Sequence, residues 1–440
     1  MIPRFLRPAL LAALTVLGAH AEESSPLTPR TDELQAAAEG GDLQAAQQLY
    51  MRHAFEGHQE QAREWAAHYI KLLTHAAESG DTRAMLRLGA CYLTGADYTP
   101  VSIEQAVTWF SRASEAGEPA GAYMMAEVFA KQGNAATAAE AYRRAYQLYT
   151  ARTDTEALYW MGFMELNGLG TPARPAEGIE KLERASEQGS AWADAQLFKA
   201  YYTGTHAPKD EAKALVYARK LADERHDGAM AYVVATALIT GHGLPKDEAL
   251  GERYLDQAAA ANIPDAIFMK AQRLEQSHRL AEAMPLYKQA ASMLQSDALV
   301  RLGSLLVHGA DGVEQDTSRG LAMLEQAAER FESPLGAWEL ACYYRSVGAD
   351  ASADSWYATA AQRGVAEAMA RRGVLHLIPG SGVAWSPTEA YHWWRVGKAA
   401  GDPTCSLYLN LFHFVFTPLL LILTFGLPAF FAHRILKKRA

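Results

Sequence analysis

A short phrase recurs along this chain of 440 residues at a spacing of about 31 to 40 residues, and that recurrence constrains the fold more than any composition does. The phrase is an Ala, a Leu-Gly four residues on, an aromatic, a Gly, a polar stretch with a capping residue, an Ala, an aromatic pair and a closing Gly. It is clearest from Ala84 through Leu88, Gly89, Tyr92 and Gly95 to Ala106, Trp109, Phe110, Ala113 and Gly117. It returns at Ala157, Met161, Gly162, Gly168, Gly178, Leu182, Ala185 and Gly189, and again at Ala298, Leu302, Gly303, Gly309, Gly320, Leu324, Ala327 and Ala328. Ala84, Leu88 and Cys91-Tyr92 fall at helical spacing, so each half of the phrase is an amphipathic helix. A helix pair with one apolar side cannot bury it alone. Successive pairs must stack, which makes the chain an array rather than the three globular domains its length alone would suggest.

Each unit reads as helix, loop, helix, turn. Gly89, Gly162 and Gly303 sit in helix interiors, where a glycine costs about 1 kcal/mol against alanine. Their shared register therefore implies a close helix crossing. Gly95, Gly168, Gly204, Gly241 and Gly309 end the first helices in left-handed caps. Ser102, Asp210 and Asp247 follow a nearby proline and cap the second helices. These residues resemble the SEL-1-like repeat family, a relative of the tetratricopeptide repeat. The run Gly241-His242-Gly243-Leu244-Pro245-Lys246-Asp247-Glu248-Ala249 is similar to that family's inter-helix loop. The resemblance covers roughly residues 31–401 in about ten units. Gly133 leads straight to Ala135 and the loop near Ser277 is equally short, so those units look more like tetratricopeptide repeats. The unit from Gln44 to Ala77 is degenerate and reads as a cap.

The resemblance implies an all-α fold, an αα-superhelical solenoid with a concave groove. It also implies work as an adaptor or scaffold. Family members organise membrane-associated complexes, including an endoplasmic-reticulum degradation adaptor of similar topology, or act in bacterial envelopes.

The two ends set the expected topology. Residues 1–21 read as a secretory signal peptide: Arg4 and Arg7, a short apolar run from Ala9 to Gly18, then Ala19-His20-Ala21 as a small-x-small cleavage site. Residues 22–30 are a linker. Asp402 and Arg434 bracket a stretch free of Asp, Glu, Lys and Arg. Within it, residues 407–432 are expected to form one transmembrane helix. The tail 433–440, with Arg434, Lys437, Lys438 and Arg439, is cytoplasmic by the positive-inside rule. The expected localisation is a type I single-pass membrane protein with its repeats on the periplasmic or extracytoplasmic side. In a eukaryote the lysines would resemble a retrieval signal. The scarcity of Asn, the excess of Arg over Lys and the lack of a glycosylation sequon favour a bacterial envelope.

The search for chemistry returns little. Gly168-Leu169-Gly170 and Gly241-His242-Gly243 follow helices rather than strands, so they are loops and not phosphate cradles. No nucleophile elbow and no His-Glu-x-x-His pair is present in the sequence. His53 and His58 are five residues apart and do not share a helix face, so no metal site is expected there and no cofactor is expected anywhere. Cys91, Cys342 and Cys405 are too scattered for a disulfide framework; they read as buried small hydrophobes, with Cys405 as the one possible intermolecular bridge. A net charge of −9 argues against a nucleic-acid partner. The partner is expected to be an envelope protein or peptide. An envelope carbohydrate-binding protein or an enzyme with a site built across repeats is the alternative. Aromatic residues mark the expected contact surface: Tyr159, Trp160, Trp192 and the loop residue Trp385. Asn410 and His413, three apart in the final helix, are expected to contact a partner helix in the membrane.

Overall fold

The computed structural model describes residues 30–310 and 312–421. Among them it holds twenty-two α-helices and no strand. They form two compact units that divide at Leu221 and Ala222. The first unit opens with α1 (Thr31–Glu39). Helix pairs follow: α2 (Leu43–Phe55) with α3 (Gln59–Glu78), α4 (Thr82–Thr94) with α5 (Ile103–Glu115), α6 (Pro119–Lys131) with α7 (Ala135–Thr150), α8 (Thr155–Asn167) with α9 (Pro175–Glu187), and α10 (Ala191–Thr203) with α11 (Glu211–Arg225), whose last turn crosses the divide. The second unit holds α12 (Gly228–Thr240) with α13 (Glu248–Ala260), α14 (Pro264–Gln276) with α15 (Leu280–Ser292), α16 (Ser296–His308) with α17 (Thr317–Arg330), α18 (Pro334–Ser346) with α19 (Asp350–Gln362), and α20 (Ala366–Leu375) with α21 (Pro387–Ala399). It ends on α22 (Pro403–Leu421). Ten pairs match the number of units read from the repeat.

Local chemistry explains the boundaries. Asp247 accepts from the Leu250 amide, Asp210 from Lys213 and Ser102 from Gln105, so the three expected caps are made. Gly95, Gly168, Gly204 and Gly241 close their helices in the left-handed conformation. Gly309 differs. Its φ of 73° is paired with a ψ of 162°, which turns the chain outward into a single bridge between Ala310 and Val313. The degenerate first pair is a real pair, and its α3 runs to 20 residues where α5 has 13. Three other pairs are joined by short turns, at 132–134, 277–279 and 347–349; two of these were expected.

The core is a ladder of alanines and leucines between helices. Leu88, Leu182, Leu302 and Ala106 are fully buried. The repeated glycines serve helix crossing. A Cβ on Gly162 would lie 2.8 Å from the Gly178 carbonyl oxygen, and one on Gly303 would lie 3.0 Å from that of Gly320. Glu165, 1% exposed, is held by Arg174 in the following loop, by Lys181 on α9 and by the Tyr146 hydroxyl on α7.

Two expectations change, the start of the final helix and the bridging role of Cys405. Among the described residues no helix is long and apolar enough to cross a membrane. The span expected at 407–432 is described only to Leu421. Its expected start at Leu407 falls inside a helix docked on the array, because Cys405 and Leu409 are buried and Tyr408 and Phe412 pack on Trp394. The signal peptide at 1–21, most of the linker and the tail at 433–440 lie outside the described residues. Cys405 is fully buried against Gly397, so its thiol does not face a second chain in this fold.

Candidate functional site

The second unit contains a pocket of about 550 Å³ built by one face of four successive first helices. Counting from each helix start, the second residues supply Asp265, Asp297 and Leu335. The fifth residues supply Tyr232, Phe268 and Val300; the sixth, Met269, Arg301 and Glu339; the ninth, Gln272 and Ser304. Positions two, five, six and nine form one stripe of an α-helix. The opposite stripe, with Ala298, Leu302 and Gly303, is buried in the core. Repetition thus places equivalent residues side by side, and the pocket is a product of register.

Its floor is apolar. Phe268 and Val300 are buried, whereas Leu335 is exposed at the rim. Its charge is negative. Asp265, Asp297 and Glu339 face a single cation, Arg301, which is already paired with Glu275 outside the pocket. Burial, and then the Asp265 and Asp297 carboxylates, raise the Tyr232 phenol above its ordinary range. Polar contacts fix the rim: Gln295 donates to Asp265 at 3.2 Å and Ser304 to Glu339 at 3.0 Å.

In the first unit the same stripe is filled from within. Tyr123 and Tyr159 are fifth residues, Trp160 is a sixth and Phe163 a ninth. Tyr123 and Trp160 pack tilted with ring centres 4.6 Å apart, and Tyr159 and Trp160 pack edge to face at 5.2 Å. Tyr159 and Trp160 are buried, and burial pushes the Tyr159 phenol up to about 12. They are therefore core residues here, which corrects their expected role as surface contacts. On α4 the sixth residue, Arg87, is paired at 2.7 Å with Asp97, a residue held at a φ of 54° in the loop that follows. Tyr50 and Cys91 also donate to Asp97. Burial, and then Asp97, push the Cys91 thiol up to about 12, so it is not a nucleophile at neutral pH.

Trp192 and Trp385 are exposed, at 40% and 58%. Trp192 is the second residue of α10, in register with Asp297. Trp385 sits on a loop pinned by His376, whose Nδ1 lies 3.0 Å from the Ala384 carbonyl oxygen. Asn410 and His413 lie on the exposed side of α22, and the His413 ring is 5.5 Å from Tyr391. Trp192 belongs to the first unit, and Trp385, Asn410 and His413 belong to the second. His53 and His58, expected apart, converge with Glu56 at the turn between α2 and α3.

A ladder of thirteen-residue helix pairs, capped by Asp and closed by Gly, defines a helical-repeat solenoid. The model of the Sel1 repeat matches residues 82–118, 155–190, 193–226, 229–263, 296–330 and 366–402, and the chain belongs to the Sel1-repeat family. The unmatched stretches include the three short-turn pairs. A solved protective antigen of uropathogenic Escherichia coli, displaying an SLR fold, is similar at 24% identity and a TM-score of 0.61; the match covers 88% of this chain and 83% of that one. A Sel1 repeat protein from Oxalobacter formigenes shows 23% identity and a TM-score of 0.47, over 75% of this chain and 92% of that one. Chitin synthase regulatory factor 3 of Schizosaccharomyces pombe is 26% identical over 276 residues, which are 59% of this chain and 30% of that relative. The chain thus spans less than a third of that relative's length.

Proposed function

We propose that this protein is a non-catalytic scaffold whose second unit binds a polypeptide segment carrying basic and apolar side chains. The observation that carries this reading is the shared stripe of α12, α14, α16 and α18, with an apolar floor and three carboxylates around one engaged arginine. A groove built from repeated positions suits an extended chain, whose side chains also repeat. Excess negative charge favours lysine or arginine on the ligand and raises its rate of encounter. That the fission-yeast relative is named a regulatory factor of an enzyme supports a role in regulation rather than catalysis.

We further infer that the array is exported and held at a membrane by the segment that follows it. Support comes from the sequence: the Arg4 to Ala21 signal pattern, the uncharged stretch after Asp402 and the basic residues from Arg434. On this reading Trp385, Trp192, Asn410 and His413 lie on surfaces open to the membrane or to envelope partners.

Random peptides displayed on phage and selected against the full-length protein in detergent test the pocket. They are expected to converge on segments that mix Lys or Arg with large apolar residues. A chain carrying Asp265→Asn, Asp297→Asn and Glu339→Gln should bind those peptides about tenfold more weakly, with a shallower salt dependence. Convergence on acidic peptides, or affinity indifferent to the three changes, would remove the pocket as the binding site.

A further inference from the structure

We propose that His53, Glu56 and His58 form a binding site for a zinc-class divalent metal ion at the turn between α2 and α3. Helix α2 stops at Phe55, and Gly57, at a φ of 82°, reverses the chain. The His58 amide then donates to the His53 carbonyl oxygen at 2.8 Å and the Gly57 amide to that of Ala54 at 3.3 Å. This backbone lock overrides the helical spacing that would keep the two imidazoles on different faces. Their ring centres come to 5.8 Å, and His58 Nδ1 lies 3.3 Å from a Glu56 carboxylate oxygen. One ligand atom from each of the three residues falls within 4.8 Å of the others.

Two imidazole nitrogens and one carboxylate oxygen are the donor set of three-ligand zinc sites and of related first-row metals. Bonds of about 2.0–2.2 Å to one ion require donors about 3.4 Å apart. Glu56 and His58 are exposed side chains and can close the remaining distance by small rotations. His53 is half-buried, and its Nδ1 is shut from solvent with no hydrogen-bond partner among the described residues. A metal ion bound at that nitrogen would meet its unmet polar demand. The neighbouring Arg52 donates to Thr31 at 3.1 Å. An ion held here would tie the end of one helix to the start of the next, in the unit whose sequence departs most from the repeat.

The test uses the untagged full-length protein in detergent, with Zn²⁺ in competition against a chromophoric chelator. One equivalent is expected to bind with micromolar or tighter affinity. His53→Ala and His58→Ala should each weaken it at least about tenfold, and Glu56→Gln by a smaller factor. His58 is exposed, so its replacement leaves the fold intact, and His75→Ala serves as the control that changes nothing. Co²⁺ in place of zinc should give visible ligand-field bands that vanish in His58→Ala. Hydrogen exchange at residues 53–60 should slow on adding Zn²⁺ to the parent chain alone. No stoichiometric zinc, or zinc retained unchanged in the doubly substituted His53→Ala/His58→Ala chain, overturns the site.

Discussion

At the scale of single residues, tyrosine hydroxyls recur as donors to carboxylates on neighbouring helices. Tyr146 donates to Glu165, Tyr201 to Glu183, Tyr254 to Asp223 and Tyr287 to Glu275. A cation joins three of these carboxylates, Glu165, Glu183 and Glu275. At Glu275 that cation is Arg301, which also lines the pocket. The Arg301 hydrogen bond, opposed by burial and assisted by Tyr287, holds the Glu275 carboxyl below its ordinary value of 4.5. A depressed acid contributes stability that is fully present above its unfolded value and is lost as the pH falls through the folded one. The second unit should therefore weaken below about pH 4.5 in part through this group. Urea midpoints of the parent and of Glu275→Gln, measured from pH 7 down to pH 3, should differ most at neutral pH and converge in acid. A gap that stays constant across that range would mean the charge of Glu275 is not what the site uses.

At the scale of helices, the repeat works because small residues let the two members of a pair touch backbone to backbone. Gly303 and Gly320 face each other, and a Cβ on Gly320 would lie 2.7 Å from the Gly303 carbonyl oxygen. Gly303→Val should therefore destabilise the second unit by about 2 kcal/mol or more, the range for overpacking a tight interface. An exposed helical glycine would respond in the opposite direction. Circular dichroism during urea unfolding separates the two, and a gain in stability would show that the crossing is loose. This part of the fold was legible in the sequence. Gly89, Gly162 and Gly303 recur at one register, and a costly residue repeated in place signals a contact. The site was not legible in the same way. Tyr159 and Trp160 drew attention as large aromatics, yet their size is what buries them against Tyr123. No sequence motif sets Asp265, Asp297 and Glu339 apart from the chain's other carboxylates. Their signal was positional: aligning each first helix on its cap places them on the stripe where those aromatics sit. His53 and His58 escaped for another reason, since helical geometry was extended through a turn that Gly57 breaks.

At the scale of the whole molecule, the question is where the array stops and the proposed anchor would begin. The sequence drew that line at Leu407, from the loss of charge after Asp402. Packing draws it later. Cys405 fills the space beside Gly397, Leu409 is buried, and Phe412 closes on Tyr391 and Trp394, so the first part of α22 is the last layer of the solenoid. Its other side carries the exposed Leu407, Leu411 and Phe414. The charge-free stretch after Asp402 therefore begins as a layer of the array, and hydropathy alone does not mark that layer off. Two truncations do. A chain ending at Leu421 keeps the docked layer and leaves an apolar segment well short of the roughly 20 residues needed to span a bilayer. It should move from the membrane fraction to the soluble one with its helix content and unfolding midpoint preserved. A chain ending at Asp402 strips the cover from Trp394 and the pair α20–α21. Losing several buried apolar side chains at an array end should cost about 3 kcal/mol or more locally, read as early melting of that pair and faster hydrogen exchange at 366–399. If the longer truncation stays with the membrane after a carbonate wash, the anchor lies elsewhere. If the shorter one melts like the parent, α22 is not part of the solenoid.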